Sequence, residues 1–185
     1  MYKVALLLAE GFEEAEAITP ADLLRRAGID CVTVSVAEEK LVPSSRRICV
    51  LADTSWNEMD FDSCDGVVLP GGLGGTERLA ADPRVEALLR RFGEAGKLTA
   101  AICAAPTVLA RAGLLEGKRA ICYPGLEDRL TGAEVCCESV VRDGAVITSR
   151  GMGTSVPFGL ALTAYFLGKE AADKLADKIV YNRED

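Results

Sequence analysis

The sequence predicts a doubly wound α/β domain with a small antiparallel elaboration, and three observations carry that prediction. Short apolar runs alternate with stretches of helical periodicity, which implies right-handed crossovers and a mainly parallel sheet. An Asp143-Gly144 pair separates two strand-like runs, a strong hairpin signal. The 185 residues contain no linker, low-complexity tract or internal repeat, and suffice for one domain (residues 1–185) with a proper core.

Each element has its own signal. Residues 4–8 form an apolar run too short, and ended too soon by Glu10, for a secretory signal; they read as a buried first strand. Residues 31–36, 67–69 and 98–102 read as further buried strands. The helix at 14–27 places Ala17, Ala21, Leu24 and Gly28 on one stripe. In the helix at 84–95, Asp82 caps, Pro83 suits the first position, and Val85, Leu88, Leu89 and Phe92 make the apolar face. Residues 136–142 and 145–149 are the strands flanking Asp143-Gly144. Thr154 or Ser155 then starts a helix with the stripe Val156, Leu160, Ala164 and Leu167. Gly168 stops it, and 169–180 is a last, more charged helix.

Composition removes several functions. The formal net charge of −7 disfavours nucleic-acid binding and reads as solubility. Arg46-Arg47 and Arg90-Arg91 are two-residue basic clusters, read as solvated faces. No segment reaches membrane-spanning length, so a cytoplasmic location without membrane contact is expected. The seven cysteines (31, 49, 64, 103, 122, 136 and 137) are odd in number and lack Cys-x-x-Cys spacing, which argues against a disulfide scaffold or zinc site. No metal or cofactor is expected. There is no histidine. Every Cys-His and Ser-His dyad is thereby excluded, and catalysis must run on carboxylates, thiols, hydroxyls or backbone.

Three loops at the carboxyl ends of the strands carry the chemistry. Ala101-Ile102-Cys103-Ala104-Ala105-Pro106 sets a thiol where a buried strand turns into a helix, with small residues on both sides. That is the steric logic of a nucleophile elbow, and the helix start is expected to favour thiolate. The other six cysteines read as small core residues. Leu69-Pro70-Gly71-Gly72-Leu73-Gly74-Gly75 is a glycine-rich loop that fits neither nucleotide fingerprint. The Gly72 N–H can join that of Ala104 as an oxyanion hole. In Glu10-Gly11-Phe12-Glu13-Glu14-Ala15-Glu16, Glu16 lies where its side chain can reach the neighbouring strand end. Without histidine it is the acid–base partner expected for Cys103, protonated by burial.

These segments resemble the ThiJ/PfpI superfamily, specifically the subfamily of the Parkinsonism-associated protein deglycase. The resemblance rests on AEGFEEAEAITPADLLRRAGI (9–29), DGVVLPGG (65–72), AAICAAPTVLA (100–110) and VITSRGMGTSVPFGLAL (146–162), in the same order across essentially the whole chain. It implies a flavodoxin-like fold and a homodimer. It also implies Cys103 as an oxidation-sensitive elbow cysteine, Glu16 as its protonated partner, and Gly72 and Ala104 as backbone donors. Gly71 belongs to the same pocket, and Arg25, Arg26 and Arg150 match basic positions near the pocket or the dimer contact. Tyr123 stands where the subfamily often has histidine, Ala105 where glycine is frequent, and Met152 where proline is frequent. The expected activity is cysteine-dependent glyoxalase or deglycase chemistry on methylglyoxal-like dicarbonyls or glycated groups. The alternative is a redox sensor or redox-regulated chaperone that oxidises Cys103 to sulfinate.

Overall fold

The computed structural model describes residues 1–181. Its elements run β1 (Lys3–Leu8), α1 (Glu14–Arg26), β2 (Asp30–Ser35), β3 (Leu41–Pro43), β4 (Cys49–Leu51), β5 (Thr54–Ser55), β6 (Gly66–Leu69), α2 (Leu73–Ala81), α3 (Pro83–Glu94) and β7 (Leu98–Ile102). They continue through α4 (Pro106–Arg111), β8 (Arg119–Ala120), β9 (Glu134–Val135), β10 (Val140–Asp143), β11 (Val146–Ser149), α5 (Ser155–Leu167) and α6 (Lys169–Lys178). The main sheet has the order β10-β11-β7-β6-β1-β2-β5. All its pairings are parallel except that of β10 with β11. The order β2-β1-β6-β7-β11 is the flavodoxin-like one, and it puts the topological switch point between β1 and β6.

Strand alternation sorts the core onto the two faces of the sheet. Ala5, Leu7, Val67, Leu69 and Ala101 point to the face covered by Leu79, Val85, Leu88, Leu89 and Phe92 of α2 and α3. Val4, Leu6, Leu8, Val68, Ala100 and Ile102 point to the other, packed against Ala17 and Leu24 of α1 and Phe158 and Leu162 of α5. Both faces are covered, so these strands are apolar throughout rather than alternating. The cap at Asp82 is present: its carboxylate accepts the Arg84 N–H at 2.9 Å, with Pro83 beginning α3.

Three expectations need correction. Residues 136–142 are not one strand. The Cys136 N–H extends the β8–β9 pairing by bonding Ala120 O at 2.9 Å, and the chain bends at 138–139 before β10 joins the main sheet. The second hairpin strand starts at Val146, because Gly144 (φ 61°) and Ala145 form the turn and Asp143 pairs with Val146. The glycine-rich segment is a loop only through Gly72, and Leu73, Gly74 and Gly75 already belong to α2. Those glycines let α2 lie against the loop after β1. A Cβ on Gly75 would stand 2.8 Å from Phe12 N.

Candidate active site

The site is assembled from the carboxyl ends of β1, β6 and β7, beside the switch point. Cys103 follows β7 with φ 65°, a left-handed conformation costly for a side-chain-bearing residue. Its neighbours hold it there: the Cys103 N–H donates to Ser149 O at 3.0 Å, and Cys103 O accepts the Tyr123 N–H at 2.7 Å. Ala101, Ala104 and Ala105 are buried around the turn, as an elbow requires.

Glu16 lies in the first turn of α1 and is 1% exposed. Its Oε2 accepts the Gly71 N–H at 2.9 Å, and its carboxyl is hydrogen-bonded to the Cys103 side chain. Burial pushes this carboxyl up to about 7; the bonds to Cys103 and Gly71 oppose the rise and the Glu13 charge adds to it. The two β-strand loops are stitched together by Glu13 N–H to Gly71 O (2.9 Å) and Gly75 N–H to Gly11 O (3.1 Å). Close approach explains the glycines. A Cβ on Gly71 would stand 2.5 Å from Glu16 Oε2 and 2.6 Å from Cys103 Cβ. On Gly72, at φ 86°, it would stand 2.4 Å from Gly11 O.

The N–H groups of Gly72 and Ala104 both bond the Cys103 sulfur and favour its anion. Burial, the Glu16 charge and the Glu16 hydrogen bond outweigh them and push the thiol up to about 12. The lowering by these backbone N–H groups is present but outweighed while Glu16 is ionised. The helix is only six residues long and begins at Pro106, beyond the thiol. Thiolate is favoured only while the shared proton sits on Glu16, which then donates to sulfur instead of opposing its charge.

Cys103 opens into a cavity of about 610 Å³ lined also by Gly72, Leu73, Ala104, Tyr123 and the tip of the β3–β4 hairpin. Cys103, Glu16, Gly71, Gly72, Ala104 and Tyr123 thus converge as expected. Arg25 and Arg150 do not line the cavity. Arg25 sits at the far end of α1, where it donates to Cys31 O at 2.9 Å and pairs with Asp53 at 2.5 Å. Arg26 is likewise remote from the thiol and pairs with Asp22 one helical turn back. Arg150 is exposed, with its backbone tied to Ser139 O at 3.3 Å. Met152 is exposed too. Of the cysteines assigned to the core, Cys31, Cys64 and Cys122 are buried and Cys136 is half-buried, whereas Cys49 and Cys137 are exposed. Sequence reasoning missed the hairpin wall of Pro43, Ser44, Ser45, Arg46 and Arg47. Its signal was the Arg46-Arg47 pair, and nothing local brings that pair to the thiol: the Ser45 N–H reaches across to Phe12 O at 2.7 Å. Among the described residues no cluster of three or more His, Cys, Asp or Glu side chains could hold a metal, and no helix is long and apolar enough to cross a membrane.

Known proteins resemble the chain over nearly its full length. The chain is 44% identical to Protein dj-1beta of Drosophila melanogaster, over 95% of its own length and 96% of that protein. It is 31% identical to Glutathione-independent glyoxalase DJR-1.2 of Caenorhabditis elegans, over 92% of its length and 91% of that protein. The solved structure of Toxoplasma gondii DJ-1, oxidized, superposes with a TM-score of 0.95 at 35% identity, covering 99% of this chain and 100% of that one. With the DJ-1/PfpI family model matching residues 2–165, the elbow thiol and its buried carboxyl have their context: this chain belongs to the DJ-1/PfpI family.

Proposed function

We propose that this protein is a cysteine-dependent, glutathione-independent glyoxalase-type enzyme acting on 1,2-dicarbonyls, or on the adducts they form with thiols and amines. One observation carries the reading: a carboxyl with its pKa raised to about 7 is hydrogen-bonded to a thiol that two backbone N–H groups also address. A group titrating near neutrality gives and takes protons with little driving-force penalty. With the proton on Glu16, the Cys103 sulfur adds to the aldehyde carbon. A C–S bond forms, the carbonyl π pair moves to oxygen, and the Gly72 and Ala104 N–H groups stabilise that charge. Glu16 supplies the proton that makes the hemithioacetal. Its carboxylate then removes the proton from the former aldehyde carbon and returns one to the adjacent carbon. The resulting thioester is cleaved by water, giving a 2-hydroxy acid and free thiol. The relative from Caenorhabditis elegans named as a glyoxalase supports this reading.

A second reading is oxidation of Cys103 to a sulfinate held by Glu16 and the same amides, favoured by the structural relative described as oxidized. A homodimer is proposed on the exposed apolar side chains Leu41, Ile48 and Leu51 of the hairpin and Ile18 of α1. Lactate formed from methylglyoxal without glutathione is the deciding measurement. Turnover is expected from the wild type, with none from Cys103→Ala and a loss of roughly 10²–10⁴ in Glu16→Leu, the usual worth of a positioned acid–base group. Wild-type protein that makes no lactate rejects the enzyme in favour of the oxidation reading, and peroxide titration with intact-mass analysis then tests that.

A further inference from the structure

The cavity is far larger than a three-carbon dicarbonyl fills, at about 610 Å³. Its rim carries two arginines. Arg46 and Arg47 sit at the hairpin tip, both exposed, and among the described residues neither makes an ion pair. The tip is fixed: Arg47 adopts φ 64°, its N–H bonds Ser44 O at 3.1 Å, and the Ser44 N–H bonds Ile48 O at 2.9 Å. Two carboxylates also line the cavity, and both are engaged. Glu10 lies 3.7 Å from Arg78, and Glu13 accepts the Ser45 hydroxyl at 2.9 Å. Two arginines without an ion pair among the described residues therefore line the same roomy cleft as the thiol.

We infer that the preferred substrates are 1,2-dicarbonyls whose far end bears a carboxylate, received by Arg46 and Arg47. The inference rests on the proposed attack of Cys103 on the aldehyde. A guanidinium fork matches a carboxylate bidentately, and its charge also steers an anion toward the mouth. The nearby carboxylates of Glu10 and Glu13 favour a single negative charge over a phosphate dianion. The reaction remains balanced: the aldehyde carbon is oxidised to a carboxyl, the ketone carbon is reduced to an alcohol, and one water is consumed.

Two probes of equal chain length test this, 4,5-dioxopentanoate and the neutral 2-oxopentanal. The wild type is expected to favour the anion in kcat/KM by about tenfold, a preference that shrinks as salt rises and screening sets in. Arg46→Ala/Arg47→Ala should collapse the anion-to-neutral ratio about tenfold. A second readout needs no turnover: the alkylation rate of Cys103 by iodoacetate relative to iodoacetamide, followed by peptide mass spectrometry. That ratio should fall in the double variant and at high salt. If both ratios are the same in wild type and variant, the inference is overturned, whatever the turnover. If neither dicarbonyl is converted but the alkylation ratio still depends on Arg46 and Arg47, the enzymatic reading fails and the anion preference stands.

Discussion

Glu16 is held in the folded protein with its carboxyl pKa raised from 4.5 to about 7, and this has consequences that can be measured. Burial is the main cause, so the native state binds a proton that the unfolded chain releases. Stability from this group is fully present below about pH 4.5 and is lost progressively as pH rises to about 7. The total is roughly 3 kcal/mol, at about 1.4 kcal/mol per pH unit. Urea unfolding at pH 5 and pH 8 should show a fall of that order in the wild type and little of it in Glu16→Gln. The same substitution removes the charge that opposes Cys103 ionisation, while Gly72 and Ala104 still donate to sulfur. Iodoacetamide labelling of Cys103 at pH 9 is therefore expected to run about tenfold faster in Glu16→Gln than in the wild type. Equal rates would mean that Glu16 does not control the thiol.

At the scale of elements, the site depends on how closely β6, β7 and α1 approach at their ends. Gly71 is the contact point: its N–H holds Glu16 Oε2 at 2.9 Å, and its missing side chain leaves room for Cys103. Its backbone does not need positive φ, so alanine there is disfavoured by crowding alone. Gly71→Ala should displace Glu16 or Cys103 by a fraction of an ångström to an ångström and lower dicarbonyl turnover roughly 10²-fold. Circular dichroism and turnover measured together check this. Full activity in a folded Gly71→Ala protein would show that the carboxyl and thiol need not meet. The hairpin has the opposite character. It lies outside the main sheet and is tied to the loop after β1 by Gly11 N–H to Pro43 O at 2.8 Å and Ser45 N–H to Phe12 O at 2.7 Å.

Across the whole molecule, the two faces of the sheet divide stability from chemistry. Glu16 rides on the α1–α5 face, whereas α2, α3 and their apolar stripe close the other. Phe92 is 1% exposed in that second layer and touches none of the reacting groups. Phe92→Ala is expected to cost roughly 3–5 kcal/mol of stability. Turnover per folded molecule should stay at the wild-type level, measured below the unfolding transition alongside urea titration. A matched loss of turnover would couple the second face to the site.

The strands 4–8, 31–36, 67–69 and 98–102 and the helices 14–27 and 84–95 were legible because their signals are local: apolar runs, helical stripes, and the Asp82-Pro83 start. Cys103 was legible for the same reason, since a thiol at the junction of strand and helix between small residues is a local steric pattern. The excluded functions followed from composition, above all from the missing histidine. Helix α2 was not legible, because Gly74 and Gly75 are poor helix formers and only packing against Phe12 selects them. Strands β3, β4, β8 and β9 are two or three residues long, too short for a periodic signal. The direction of the Cys103 pKa shift was likewise out of reach, since it depends on how deeply the thiol itself is buried and on the Glu16 carboxyl brought to it from another element. The sequence by itself determined the sheet, the thiol and its partner carboxyl. Only the tertiary structure decided that Arg46 and Arg47 line the cavity of the thiol while Arg25 and Arg150 do not, because residues distant in sequence meet only where the chain folds back on itself.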